Sequence, residues 1–130
     1  MIGTFVPPGR TLDEMRDEKP RVRSVSDGYL TAMGVEVLDG RELETGDGAA
    51  ALPVIVMNRS AARRYFGSAS PVGQLVDWHV GNGRAQMKVV GVVEDLRQKP
   101  ADDAYPEIFV DYRQFLTLLE RSGESSQRQN

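Results

Sequence analysis

The sequence predicts an α+β fold: a single small domain with a mixed, mostly antiparallel sheet and two or three short helices. Three observations support this prediction. Short alternating or fully apolar stretches, typical of strands, outnumber the stretches with helical periodicity. The helical stretches are short and end at glycine. The predicted order, β-α-β-β-α-β-β-β-α, lacks the regular strand–helix alternation of a parallel sheet. At 130 residues the chain has the length of about one domain.

The composition excludes several classes of function. A net charge of -3 argues against a nucleic-acid partner, because such a partner needs a clustered basic face. The absence of cysteine excludes thiolate zinc sites and cysteine nucleophiles. Apolar runs such as residues 89–93 are far shorter than the ~20 residues of a membrane helix, and the N-terminus lacks the pattern of a signal peptide. We therefore expect a soluble chain, either complete in itself or part of a larger protein.

Three segments are predicted along the chain. Residues 1–20 are rich in proline and charge and form an N-terminal linker or edge segment, with a short extended stretch at residues 3–6. Residues 21–113 form the α+β core. Residues 114–130 form a C-terminal helix and a polar tail, which has nothing to bury and is expected to be disordered.

The core begins with a predicted strand, helix and strand. "RVRSVS" (residues 21–26) alternates with period two and predicts a strand. Ser26 or Asp27 is expected to cap a helix that ends at Gly34, a natural left-handed stop. The inward face of this helix is expected to hold Tyr29, Leu30 and Met33. Residues 35–38 then alternate as a strand, followed by a polar connection.

The middle of the chain predicts a buried strand and a second helix. "VIVMN" (residues 54–58) is continuously apolar up to its last residue, which suits a strand covered on both faces. Asn58 can cap the helix that follows, and Gly67 can end it. Arginines in the last turn suit the negative end of the helix dipole. The expected inward residues are Ala61 and Tyr65, with Ala62 and Phe66 beside them. Pro71 and Gly73 then turn the chain into the next strand.

A hairpin and a last strand complete the core. Residues 73–80 and 85–95 flank "GNGR", a turn whose glycines allow positive φ. Residues 105–112 predict a final strand, and the following stretch predicts a helix.

No catalytic residue, cofactor site or metal site is predicted. His79, the single histidine, follows Trp78 on a strand and lacks a nearby nucleophile in the sequence. "GNG" at residues 81–83 precedes a strand and not the helix that a phosphate loop requires. The loop acids do not match the spacing of a calcium-binding loop; they are Glu42, Glu44, Asp47, Asp102, Asp103 and Glu107.

Three motifs, in order over residues 22–114, resemble the periplasmic core domain of MacB-like (MacB- or FtsX-type) ABC-transporter permeases. The first is "VRSVSDGYLTAMGVEVLDGRELETGD", in which Leu30 stands where the family more often has phenylalanine. The second is "PVIVMNRSAARRYFGSASPVGQLVDW". The third is "MKVVGVVEDLRQ", followed by "YPEIFVDYRQ". The motif positions to which the resemblance assigns a structural role are Ser26, Tyr29, Gly34, Gly40, Arg41, Asn58, Phe66, Pro71, Gly73 and Gly91.

The resemblance implies a non-catalytic, extracytoplasmic domain that passes movement of the membrane helices to substrate export or to a partner. It implies as partners the rest of the permease chain, a separate ATPase, a second permease copy and, as an open option, a periplasmic adaptor. Two alternatives remain open. One is a free-standing small-molecule or peptide-binding module, with a pocket between the hairpin and the first helix. The other is a small hydrolase using His79 or a carboxylate pair.

Overall fold

The computed structural model describes residues 3–44, 46–47, 53–80, 83–96 and 105–114. The elements are, in chain order, β1 (Thr4–Val6), α1 (Leu12–Met15), β2 (Arg21–Val25), α2 (Tyr29–Ala32), β3 (Val37–Gly40), β4 (Val54–Asn58), α3 (Arg59–Phe66), β5 (Leu75–Val80), β6 (Gly83–Val93) and β7 (Glu107–Asp111).

The seven strands within the described ranges form one sheet in the order β1-β5-β6-β4-β7-β2, with β3 paired to β6 off this path. Four pairs are antiparallel: β1 with β5, β5 with β6, β3 with β6, and β4 with β7. Two pairs are parallel, β4 with β6 and β2 with β7. The mixed, mostly antiparallel sheet of an α+β domain is therefore confirmed.

Strand β4 is buried along its whole length because both of its faces are covered. Alternate side chains of β4 enter two separate apolar clusters on opposite faces. The larger cluster consists of Phe5, Met15, Ile55, Met57, Ala61, Tyr65, Val76, Trp78, Met87, Val89, Val92, Ile108 and Val110. The smaller consists of Val25, Leu30, Leu43, Val54, Val56, Val90, Val93 and Phe109. Helices α1 and α3 contribute to the larger cluster, and α2 contributes to the smaller one.

Helix α3 follows the prediction closely. The Asn58 side chain caps it by accepting a hydrogen bond from the Ala61 amide, and Gly67 ends it with a φ of 62°. Ala61 and Tyr65 are buried, while Phe66 is only partly buried against the larger cluster. Tyr65 therefore anchors the helix more deeply than Phe66, the residue that the motif singles out.

The N-terminal segment has more structure than a linker. β1 confirms the short extended stretch, and it pairs with β5 at the edge of the sheet. The linker prediction misses helix α1, which Thr11 caps by accepting a hydrogen bond from the Glu14 amide. Met15 at the end of α1 is buried in the larger cluster. This apolar contact holds the helix against the sheet.

Helix α2 differs from the prediction in its start and its inward face. It begins after Gly28, which has a φ of 76° and occupies the N-cap position, so the expected N-cap at Ser26 or Asp27 is wrong. Met33 lies outside the helix and is 56% exposed, so it is not an inward residue. The stop at Gly34 is confirmed, because its φ is 77° and its amide donates to the Thr31 carbonyl.

The remaining strands occur where they are predicted, with shifted ends. β3 starts and ends two residues later than the predicted strand at residues 35–38, because the antiparallel ladder with β6 pairs Val37 with Val93. The hairpin is confirmed by the pairing of β5 with β6, up to Val80 opposite Gly83. Residues 112–114 are helical. The rest of the predicted C-terminal helix, the tail and the tip of the hairpin turn lie outside the described residues.

Candidate functional site

The end of β3 crosses the bulged part of β6 at very short range. A Cβ atom placed on Gly91 would lie 1.8 Å from the carbonyl oxygen of Arg41, and one on Gly40 would lie 2.2 Å from that of Val90. The Arg41 amide donates to the Val90 carbonyl at 2.9 Å. Only glycine at both positions permits two backbones to approach this closely. The crossing fixes where the polar connection after β3 leaves the sheet.

Beyond the crossing, Arg41 organises a set of polar residues that we call the Arg41 cluster: Gly40, Arg41, Glu42, Glu44 and Asp47. The guanidinium donates to both carboxylate oxygens of Asp47, at 3.0 Å each, and to the Glu42 carbonyl at 3.0 Å. The Glu44 amide donates to the same carboxylate at 2.7 Å. Such a two-pronged pair with a largely buried carboxylate is stronger than an ordinary surface ion pair.

The ion pair shifts the proton affinity of both partners. Burial acts to raise the pKa of Asp47, but the hydrogen bonds from Arg41 and the Glu44 amide and the charge of Arg41 outweigh it and hold the pKa below its usual value. The hydrogen bond to Asp47 raises the pKa of Arg41. Asp47 is therefore ionised at neutral pH and serves as an anchor for the loop.

Glu42 joins the cluster to helix α2. Its carboxylate accepts hydrogen bonds from the amides of Leu30, at 2.5 Å, and Thr31, at 3.0 Å, and from the Thr31 hydroxyl. These amides lie in the first turn of α2, where backbone donors lack helical partners. Glu42 thus supplies acceptors for the first turn of α2, a role that the sequence suggested for Ser26 or Asp27.

A second ion pair lies close to the first, at the end of β7. The carboxylate of Asp111 accepts from the Arg113 side chain at 2.9 and 3.1 Å and from the Arg113 amide at 2.8 Å. Burial acts to raise the pKa of Asp111, but the bonds from Arg113 outweigh it and lower the pKa. The charge of Asp111 also acts on Asp47. The two pairs therefore belong to one charged region between the loop and β7.

Asn58, the last residue of β4, is the centre of a second set of buried hydrogen bonds. Its side-chain oxygen accepts from the amides of Ala61, at 2.9 Å, and Glu107, at 3.0 Å. Its side-chain nitrogen donates to the Tyr105 carbonyl at 2.8 Å. One fully buried side chain thus connects β4, α3 and the start of β7. The sequence predicted the helix cap and missed the link to β7.

The turn after α3 is held by the backbone. Pro71 is buried, and Gly73, with a φ of 89°, donates its amide to the Val89 carbonyl at 2.8 Å. The ten motif positions therefore fall into two groups. Tyr29, Gly34, Gly40, Arg41 and Gly91 lie around α2 and the Arg41 cluster, with Ser26 exposed beside them. Asn58, Phe66, Pro71 and Gly73 lie around α3. Their roles as family motif positions stay a prediction.

From the sequence alone, Glu42 and Asp47 were expected to be ordinary loop acids. Glu42 and Asp47 are buried and satisfied by protein donors. A signal was present for Asp47, since an arginine and a carboxylate in one short connection can pair. For Glu42 no local signal exists, because the amides it caps lie 11 and 12 residues earlier.

Few features of the described residues suggest chemistry. In that part of the chain, no group of three or more histidine, cysteine, aspartate or glutamate residues is arranged to hold a metal ion. His79 is half-buried on β5, opposite Thr4 and Arg84 in the ladders. Trp78 beside it is buried and stacks on Phe5 with ring centroids 5.2 Å apart.

An open groove of about 410 Å³ runs beside β2 and is lined by Arg23, Ser24, Val25, Ser26 and Tyr29. The groove is not at the hairpin of β5 and β6, where the pocket of a free-standing binding module was expected. On that side of the sheet, Val76 and Met87 of the hairpin are buried in the larger apolar cluster.

A family model described as the MacB-like periplasmic core domain matches residues 5–129. The chain belongs to this family. The match runs through the segments that the sequence analysis set apart as an N-terminal linker and a C-terminal tail. Domains of the MacB-like family lie on the periplasmic or extracellular side of the membrane, as expected from the motifs. None of the helices in the described ranges is long and apolar enough to span a bilayer.

Solved structures of similar fold agree with the MacB-like assignment. The periplasmic region of MacB from Actinobacillus actinomycetemcomitans superposes with a TM-score of 0.66 at 20% identity, covering 90% of this chain and 47% of that one. The extracellular domain of the noncanonic ABC-type transporter YknZ from Gram-positive bacteria gives 0.60 at 19% identity, covering 90% and 53%. A domain of a putative permease from Porphyromonas gingivalis gives 0.55 at 16% identity, covering 85% and 46%.

The chain thus spans about half the length of these structures. At such identities the likeness is one of fold. No match was found among curated proteins.

Proposed function

We propose that this MacB-like periplasmic core domain is a non-catalytic part of an ABC permease. It passes movement of the membrane helices, driven by a separate ATPase, to substrate export or to the engagement of a partner. The observation that carries the proposal is the family match over residues 5–129. The proposed partners are the remainder of the permease chain, its ATPase, a second permease copy and, as a further candidate, a periplasmic adaptor.

The internal contacts of the domain suit a part that transmits movement. The Arg41 cluster ties β3, α2 and β6 together through buried hydrogen bonds, and Asn58 does the same for β4, α3 and β7. A domain cross-braced in this way moves as a body and loses little of an applied displacement to internal rearrangement. This stiffness supports the proposal without specifying the substrate.

The first test is to read the gene that encodes the chain, translating outward on both sides. The proposal expects one apolar segment of ~20 residues upstream and three downstream. Stop signals on both sides without any such segment would overturn it and favour the free-standing binding module.

The second test measures the movement itself in the complete permease, reconstituted with its ATPase. A spin label is attached at Ser68→Cys in one sample and at Arg10→Cys in another; both positions are exposed, and this chain contains no cysteine of its own. The distance between the labels of two copies is measured without nucleotide and with trapped ATP. The proposal expects the distance to change for at least one label. Unchanged distances at both sites in a complex that hydrolyses ATP would contradict it.

A further inference from the structure

Strand β2 is the last strand of the sheet path, and none of the described strands pairs with its outer side. It is five residues long, whereas β1 at the opposite end of the path has three. The Arg21 amide donates to the Pro106 carbonyl, so Arg21, Arg23 and Val25 direct their backbone groups toward β7. The amides and carbonyls of Val22 and Ser24 therefore face outward, as the parallel pattern requires.

The side chains along this edge are not neutral. Arg21 and Arg23 share one partner, the carboxylate of Glu107, at 3.9 and 2.5 Å, and Glu107 is only 1% exposed. Among the described residues at this end of β2, two guanidinium groups against one carboxylate leave an excess positive charge. Arg21 also lies over the exposed ring of Tyr105, 5.2 Å from its centroid.

The excess charge is local. Toward the other end of the strand, the single guanidinium of Arg113 faces two carboxylates, Asp27 at 3.7 Å and Asp111 at 2.9 Å, so the positive excess is confined to the end that holds Arg21 and Arg23. The groove lined by residues 23–26 and Tyr29 provides open space along the same edge.

We infer that the outer edge of β2 binds an extended polypeptide segment with acidic residues at alternate positions, which adds to the sheet as a further strand. Backbone groups of Val22 and Ser24 supply the ladder. Residues of an added strand that share a face with Arg21 and Arg23 come within reach of both, so acidic side chains are favoured there. Residues between them face the side of Val22, which packs on the larger cluster, so apolar side chains are favoured there. The inference goes beyond the proposed function, since it names a surface and the chemistry of a partner.

The test uses the chain itself and a short fluorescein-labelled peptide in which glutamate and valine alternate, with a lysine–valine peptide as the charge control. Fluorescence polarisation is expected to show binding of the glutamate peptide only, weakened by added salt. Ser24→Pro removes an outward amide while leaving the ladder with β7 intact, and proline is tolerated on such an edge. It is expected to weaken binding at least about tenfold, whereas Ser24→Ala, which keeps the amide, binds like the wild type.

Arg21→Gln tests the charge and leaves the short Arg23–Glu107 bridge in place; it is expected to weaken binding about three- to tenfold. Arg16→Gln, at an exposed position off the edge strand, is its control. Circular dichroism melts establish that each variant is folded as stably as the wild type.

Any one of three peptide-binding results overturns the inference: no binding of the glutamate peptide, equal binding of both peptides, or full binding by a folded Ser24→Pro variant. Self-association of the chain that Ser24→Pro abolishes would identify a second copy as the occupant and would also overturn it. Because binding is read on this chain without any transport measurement, its failure is distinct from a failure of the transporter role.

Discussion

The carboxylate of Glu42 caps helix α2 through the amide of Leu30, at 2.5 Å. The two residues belong to different elements, so the start of the helix and the loop after β3 hold each other in place. A four-residue helix has little stability of its own, because helix nucleation is costly. Helix α2 therefore depends on this contact and on the burial of Leu30.

We predict that Glu42→Ala lowers the free energy of unfolding by about 2 kcal/mol, since it leaves helix amides in a buried place without a charged acceptor. Urea denaturation followed by the fluorescence of Trp78, the single, buried tryptophan, measures this. Glu44→Ala is the matched control: Glu44 is exposed and makes one ion pair with Arg41 at 3.3 Å. It should cost less than about 1 kcal/mol. Equal losses in the two variants would contradict the capping role.

The crossing at Gly91 leads to a second prediction. Gly91→Ala is expected to destabilise the protein by more than about 3 kcal/mol, because the new methyl group meets the Arg41 backbone, which no change of rotamer relieves. Gly46→Ala, where an added Cβ meets nothing within 4 Å, is expected to stay within about 0.5 kcal/mol of the wild type. Urea denaturation and the yield of folded protein measure both variants. A Gly91→Ala variant as stable as Gly46→Ala would show that the backbones are not in contact.

The sequence predicted β4 and α3 well because their signals are local. An apolar run, an asparagine cap and a glycine stop all lie within residues 54–67, and each acts on its immediate neighbours. Helix α1 also has a local signal, since Thr11 and Glu14 have the spacing of a capping box. The prolines and charged residues around this signal led to the prediction of a linker instead of a helix.

The start of α2 and the Arg41 cluster could not be predicted in the same way. Glu42 has the sequence environment of a solvated loop acid, and only the sheet brings it to the amides of Leu30 and Thr31. The need for glycine at position 91 likewise comes from the distant Arg41 backbone. Motif resemblance singled out Gly40, Arg41 and Gly91, whereas the contacts among them follow from tertiary structure alone.

The third prediction concerns the loss of stability at acidic pH. The pKa values of Asp47 and Asp111 are lowered in the folded protein by their arginine partners, against the opposing effect of burial. A lowered folded pKa contributes stability that is present above the unfolded value of about 3.9 and is lost as the pH falls through the folded value. We expect the wild type to lose stability progressively below about pH 5.

Asp47→Asn removes one of these contributions. Its deficit relative to the wild type should be largest at neutral pH and should shrink in acid, as measured by urea denaturation over a pH series. Asp13→Asn serves as the control, because Asp13 is a largely exposed carboxylate outside the Arg41 cluster and should cost less than about 1 kcal/mol. A deficit of Asp47→Asn that is the same at all pH values would contradict an ionised Asp47 as the source of stability.

The fourth prediction concerns the titration of Tyr65, the buried residue that anchors α3, at alkaline pH. Burial raises the pKa of Tyr65 to about 12, and the negative charge of Glu18 nearby adds to the shift. Since the fold favours the neutral phenol, this contribution to stability is complete below the unfolded pKa of about 10 and is lost as the pH rises through the folded value.

A rapid pH jump with detection of tyrosinate absorbance should therefore show one of the four tyrosines titrating near pH 12 in the folded chain. In urea that step should move to about pH 10. Tyr65→Phe should abolish the late step, with Tyr112→Phe, at an exposed position, as the control that retains it. If the late step persists in Tyr65→Phe, the side chain is not the buried anchor of α3.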